Sequence, residues 1–328
     1  MKTAFAGFRH DHIFVLYDQV INHPDFEIVG AFEEDEQSRI KAESKGVDFC
    51  YSDYQQLLDD KNVETVVIGF CYGDRGRAVI EALKKGKHVI CDKPLCTSMD
   101  ELYEIEKLSK EKNLAVSCMF TMRFESKINA VKDLIQRGEL GRINNIYMGG
   151  QHPLQYGRRP SWYFEKGKHG GVINDIAIHG VDLISYLLSD SVKTVNGARC
   201  WNAYAHEEPQ FYDSAQFMLT TKHGVGVIAD VSYSVPDGVE FALPYYWQFY
   251  IWGTKGVISF ALNEKTSTYY TKGDAKPKIL DEKSVKNSEY LSDFLDGING
   301  KNDIILDTEE SISSTKSTLL IQSIADKT

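Results

Sequence analysis

Over the first 120 residues, short apolar runs alternate with stretches of helical spacing, and that rhythm leaves few folds open. Residues 3–7 (TAFAG) form an apolar run that ends on Gly7. Ile13, Leu16, Tyr17 and Val20 then recur at the spacing of a helix face, which His23-Pro24-Asp25 breaks. A second run, Glu27–Phe32, meets the acidic cluster Glu33-Glu34-Asp35-Glu36, and a helical stretch follows around 36–45. Residues 63–70 (VETVVIGF) are apolar without alternation, as in a strand buried on both faces. A helix over 75–85 stops at Lys84-Lys85-Gly86, with basic residues in its last turn. The strand His88–Cys91 runs into Asp92-Lys93-Pro94, and a helix over 98–112 and a strand over 114–119 complete the alternation. A doubly wound parallel sheet of the Rossmann kind is expected for residues 1–121.

Beyond that point the texture changes. After a helix over 126–137 and the turn Gly138–Gly141, longer strands are expected at 143–151, 192–201, 211–221, 225–234, 245–252 and 256–261. One helix, over 174–188, interrupts them. Residues 122–328 therefore read as an α+β domain with a large, mostly antiparallel open sheet. Two domains fit 328 residues, and 42% hydrophobic content is enough for cores without staples. The net charge of −10 argues against nucleic acid or an anionic membrane as partner. No stretch approaches a membrane span, and residues 1–16 lack the apolar core of a secretory signal. The six cysteines show no CxxC pair, so a reducing, cytoplasmic setting is expected.

A strand, a Gly turn and a helix start make a phosphate site physically reasonable near Gly7, because backbone N–H groups and the helix dipole converge there. Read against G-x-G-x-x-G, the segment Gly7-Phe8-Arg9-His10-Asp11-His12 keeps only the first Gly. Arg9 stands where the second Gly lets backbone approach the phosphates, and it could compensate with a charge-assisted contact. Glu33 closes the second strand where a ribose-binding acid belongs; a carboxylate there favours NAD over NADP. Glu34 and Glu36 read as a solvated helix start. His10 and His12 form an H-x-H pair with no third metal ligand near them in sequence, so no metal is expected.

Two constellations could carry chemistry. Lys93, beside Pro94 at the end of a parallel strand, could aim its ammonium at a substrate oxygen, or it could be a surface lysine on a turn. Asp175 and His179 lie four apart on a largely apolar helix behind Gly170-Gly171. They read equally as a catalytic pair and as a satisfied core pair.

At these residues the chain resembles the Gfo/Idh/MocA family of NAD(P)-dependent oxidoreductases, which includes glucose-fructose oxidoreductase and inositol dehydrogenases. The resemblance covers nearly the whole chain. It rests on Gly86-Lys87-His88-Val89 before Asp92-Lys93-Pro94, on Arg123-Phe124, on Gly138–Gly141, and on G-G-x-x-x-D-x-x-x-H-x-x-D from Gly170 to Asp182. It implies that Lys93, Asp175 and His179 are the catalytic set. It also implies that Gly7, Phe8, Arg9, His10, His12, Glu33, Cys71, Asp92 and Lys93 surround the cofactor, and that the C-terminal sheet joins subunits into a dimer or tetramer. Arg123, Trp162 and His152, with Tyr163, would suit a sugar or polyol. The family's A-T-P-N-x-x-H is replaced here by Gly69-Phe70-Cys71-Tyr72-Gly73-Asp74-Arg75, and Asp92 stands for a Glu. The expected activity is hydride transfer between a nicotinamide cofactor and a secondary alcohol. Redox-neutral lyase or hydrolase chemistry on a bound NAD, and a non-catalytic dinucleotide sensor, are the alternatives.

Overall fold

A computed structural model describes residues 1–239, 241–282 and 289–328. Two compact units emerge. The first holds Met1–Phe120 with two returning segments, Gly167–Gly170 and Glu289–Thr315; the second holds Thr121–Lys166, Gly171–Ser288 and Lys316–Thr328. The sequence reading placed a single break after residue 121, and the two returns were not foreseen.

In the first unit the chain runs β1 (Lys2–Ala6), α1 (His12–Asn22), β2 (Glu27–Phe32), α2 (Glu36–Glu43), α3 (Tyr54–Asp59), β3 (Thr65–Ile68), α4 (Tyr72–Lys84), β4 (His88–Cys91), α5 (Met99–Lys112) and β5 (Val116–Cys118). The strands form a parallel sheet in the order β2-β1-β3-β4-β5. Val66, Val67, Ile68, Val89 and Ile90 are fully buried, which is why these strands read as unbroken apolar runs. The order reverses between β1 and β3, the place where ligands bind outside the carboxyl ends of open α/β sheets.

The second unit contributes a short 3-10 turn at Thr121–Phe124, then α6 (Ser126–Gln136), β6 (Ile143–Pro153), a 3-10 turn at Ser161–Tyr163, a π-helical turn at Ile173–Ala177 that runs into α7 (Ile178–Leu188), β7 (Val192–Trp201), β8 (Ser214–Thr221), β9 (Gly226–Val235), β10 (Gln248–Gly253), β11 (Gly256–Ala261), β12 (Thr268–Thr271) and β13 (Lys278–Ile279). Its eight-stranded sheet has the order β13-β12-β11-β10-β6-β9-β8-β7, antiparallel except where β6 meets β9. Residues alternate along it. Phe249, Ile251, Phe217 and Val227 point to the core, whereas Trp252, Met218 and Ile228 are exposed on the other face.

The chain ends with α8 (Tyr290–Ile298) and α9 (Thr308–Ala325). In the first unit these elements close the edge strand β5. The N–H of Val116 donates to Thr308 Oγ1 at 3.0 Å, and that of Cys118 donates to Ser311 Oγ at 3.2 Å. Hydroxyls thus satisfy ladder donors that an edge would leave open. Ser311→Ala leaves the buried Cys118 N–H without that acceptor and is expected to cost about 1–3 kcal/mol, read as a lowered denaturation midpoint.

Candidate active site

In the first unit, β1 delivers Gly7 to the carboxyl edge of the sheet. Gly7 has φ +84°, and a Cβ there would lie 2.6 Å from the Phe70 nitrogen. Only glycine permits both the backbone shape and the close approach to the chain leaving β3. The next side chain, Phe8, is core: it packs among Phe5, Phe14, Tyr17 and Phe49.

Glu33 and Arg9 have exchanged their expected tasks for a joint one. The Glu33 carboxylate has no exposure and accepts from Phe8 N (2.5 Å), Arg9 Nε (2.8 Å) and Asp35 N (2.8 Å). It braces the loop from beneath rather than presenting itself to a ribose. Arg9 turns to the same cluster, reaching Glu34 at 3.3 Å and Asp35 at 3.7 Å. Glu34, two-thirds exposed, is one of the acids that line a pocket of about 350 Å³. Phe32, Tyr54 and Phe70 form its aromatic wall. Four acids (Glu34, Asp53, Asp74 and Glu81) and one base, Arg77, line this pocket.

Asp92 is the hub of the same edge. Completely buried, it pairs with Arg75 Nη2 at 2.6 Å and accepts from His10 Nδ1 at 3.1 Å and His12 Nδ1 at 3.2 Å. Burial alone would raise its pKa, but the Arg75 guanidinium and the His10 bond hold it well below the usual carboxylate range. Burial, with the neighbouring His12 next in effect, pushes His10 down to about 3 despite Asp92 and keeps it a neutral imidazole. Arg75 also donates to the carbonyls of Phe70, Asp92 and Lys93, which fixes the turn that carries Lys93. Lys93 is 4% exposed, with Nζ 5.7 Å from the centre of the Tyr72 ring. The same ring carries Arg75 at 4.5 Å and meets His10 and His169 at 5.6 Å each. Cys71 caps the start of α4, and burial pushes its thiol up to about 11, so it is a neutral neighbour of Arg9.

His10 and His12 do acquire a third potential metal ligand, because folding brings Asp92 across from 80 residues away. Two features oppose a cation. Arg75 occupies the same carboxylate, and the cluster sits at the electropositive N-terminus of α1.

In the second unit, Asp175 lies within the π-helical turn and His179 in the first turn of α7. A π turn widens the helix, and residues four apart still lie on one side of it; such turns recur at functional sites. Asp175 is 3% and His179 8% exposed. Behind the turn, Gly171 has φ +98°, and a Cβ there would strike Gln322 at 2.3 Å. The Tyr233 hydroxyl, from β9, donates to Asp175 Oδ2. Trp247 stands edge-on to His179, with ring centres 5.8 Å apart. Its backbone is left-handed at φ +51°, a costly conformation for a bulky residue, and its ring fills space that a Cβ on Gly150 would invade at 2.6 Å. His152 packs on Trp247 at 5.4 Å and shares a hydrogen bond with the Tyr246 hydroxyl at 3.0 Å.

Two residues expected as substrate contacts are buried and packed within the fold. Arg123 is 1% exposed and makes a two-pronged bond to Asp182, at 2.9 and 2.8 Å. Trp162 is buried against Tyr163, with ring centres 4.4 Å apart. Tyr233, Trp247, Tyr246 and Arg75 were not singled out from the sequence, since each sits on an element far from the motif it serves.

The His10 environment sets a pH dependence. The unfolded chain takes a proton on this imidazole near its ordinary 6.5, the folded one only near 3. Stability is therefore full above pH 6.5 and falls as pH drops towards 3. His10→Asn keeps an N–H donor and removes the titration. Its denaturation midpoint is expected to fall less than that of the parent between pH 6.5 and 5.

The oxidoreductase family model for an NAD-binding Rossmann fold matches residues 8–120, and that for a GFO/IDH/MocA C-terminal domain matches residues 128–259. Myo-inositol 2-dehydrogenase of Thermotoga maritima is 25% identical over 80% of this chain and 73% of its own length. The scyllo-inositol 2-dehydrogenase (NAD(+)) of Bacillus subtilis is 25% identical over 83% and 78%. An uncharacterized oxidoreductase of Bacillus subtilis is 26% identical over 70% of this chain, which spans 64% of that relative. Among solved structures, a putative oxidoreductase from Erwinia carotovora has the same fold, with a TM-score of 0.88 at 24% identity, covering 99% of this chain and 98% of that one.

Proposed function

The chain belongs to the Gfo/Idh/MocA family of NAD-binding oxidoreductases, and from that premise we propose that it is an NAD-dependent dehydrogenase acting on a secondary alcohol of a sugar, inositol or related polyol. The observation that carries this reading is the buried pair Asp175 and His179 on one side of a helix, with the carboxylate gripped by Tyr233.

The residues of the first unit fit the cofactor. The Gly7 turn brings the positive N-terminus of α1 to the carboxyl edge of the sheet, and the aromatic pocket lined by Glu34 suits an adenosine. The excess of acids in that pocket supports NAD over NADP, with Glu34 in the ribose-facing role that the sequence suggested for Glu33. NAD, when bound, supplies the hydride acceptor. His179 takes the hydroxyl proton, as a positioned imidazole can near neutral pH. Asp175 stabilises the imidazolium that results. Lys93 is kept as the first unit's member of the catalytic set. His152 is kept as a substrate contact.

Four buried thiols, Cys71, Cys91, Cys96 and Cys118, fit a reducing cytoplasm. Among the described residues no helix is long and apolar enough to cross a membrane. The partner we assign is a second copy of this chain, seated on the exposed sheet face that carries Met218, Ile228 and Trp252. Ile228→Asp is expected to shift the mass measured by light scattering towards the monomer.

A panel of sugars and polyols offered with NAD or NADP, followed by absorbance of the reduced cofactor, tests the activity. Net NADH formation is expected, and its absence across the panel would overturn the reading. On the substrate so found, His179→Ala should lower kcat about 100- to 10,000-fold and leave NAD affinity in place. In calorimetric titrations Glu34→Ala should narrow the preference for NAD over NADP.

A further inference from the structure

We propose that Tyr233 is a positioning residue for Asp175, holding its carboxylate in one orientation and in the ionised state through a phenol O–H donor. The proposal rests on the reading that Asp175 belongs to the catalytic set. Neither the family motif nor the spacing of the sequence points to Tyr233, which lies 58 residues beyond Asp175 on a different element.

Three observations carry it. Tyr233 is fully buried, and its hydroxyl donates to Asp175 Oδ2. Its backbone N–H donates to Asp213 O at 2.8 Å, and its ring packs against Phe211 with centres 5.5 Å apart, so the phenol has little freedom to swing away. Burial, with the charge of Asp175 next in effect, raises the phenol well above its ordinary range, so it remains a donor at any working pH. A hydrogen bond from a permanent neutral donor favours the carboxylate over the carboxylic acid. It also removes a rotation that the side chain would otherwise have.

Other charged and titratable groups surround this pair. His179 lies one turn on along the helix. Tyr246, just before β10, has a titration raised partly by Asp175. Tyr163 and Arg159 act on Tyr233 from the segment before the π turn. Arg159 directs Nε and Nη2 to the carbonyls of Leu154 and Pro153, and Nη1 to the Tyr163 hydroxyl at 3.4 Å. The phenol thus touches Asp175 and stays neutral.

Tyr233→Phe removes the donor and keeps the ring. On the substrate found in the polyol panel, kcat should fall about 10- to 100-fold, the scale of one hydrogen bond to a charged group, with KM little changed. Loss of the donor raises the carboxyl pKa, so the midpoint of the carboxyl 13C titration of Asp175, assigned with Asp175→Asn, should move up by about one pH unit or more. Phe211→Leu, which disturbs the same packing, should lower the melting temperature without moving that midpoint. An unmoved midpoint in Tyr233→Phe, or an equal shift in Phe211→Leu, overturns the proposal. Should Tyr233→Phe not fold, Tyr233→3-fluorotyrosine gives a stronger donor of the same shape, and the midpoint should then move down. If the parent oxidises nothing in the panel, the dehydrogenase reading fails by itself, and the same titration still decides for Tyr233.

Discussion

The buried ion pair between Arg75 and Asp92 is the constraint on which the carboxyl edge of the first unit depends. Neither side chain reaches water. A lone buried charge would cost several kcal/mol, so each partner requires the other, together with the full set of hydrogen bonds that the pair makes. Those bonds do the organising. Arg75 gathers the carbonyls of Phe70, Asp92 and Lys93, and Asp92 gathers His10 and His12. The end of β3, the end of β4 and the loop after β1 are thereby tied to one charge pair.

Seen this way, the residues that depart from the usual dinucleotide loop form a consistent set. An imidazole at residue 10 would be out of place beside phosphates if it had no partner, yet here it leans on Asp92 as a neutral donor. Arg9 would be an intrusion in the loop, yet Glu33 and its neighbours absorb its charge. The loop keeps its shape by polar bracing where glycines would keep it by having no side chains.

The fold was legible wherever burial writes a period. The parallel strands are apolar throughout, β7 and β11 fall where alternation and turns put them, and the Gly170–Asp182 motif marks the helix of Asp175 and His179. Three kinds of information were missing. The helix α9 buries Ser311, Ser314, Thr315 and Thr318 beside Ile312, Leu319 and Ile321, so hydroxyls blur the apolar stripe that would mark its inward face. The division of labour between Glu33 and Glu34 depends on which of two adjacent carboxylates turns inward, and composition is silent on that. Arg123 looked like a ligand contact because a motif carries it, whereas its partner Asp182 ends the other motif, 59 residues away. Pairings between distant elements decide such roles, and no local pattern records them.

The π turn at Ile173–Ala177 has a consequence for how this site could change over time. Such a turn is an α-helix with one residue too many, wound into a wider loop. Removing one residue from it would let the helix close up into a regular α-helix, with the flanking turns staying in place, because the wide loop already absorbs the surplus residue. Lost from between Asp175 and His179, that residue would leave the two three apart, still neighbours on one face. The carboxylate would then stand on a narrower turn, at a changed distance from the Tyr233 hydroxyl on β9. The surplus residue thus sets the reach of Asp175, and a one-codon deletion there would alter that reach without altering any of the side chains involved.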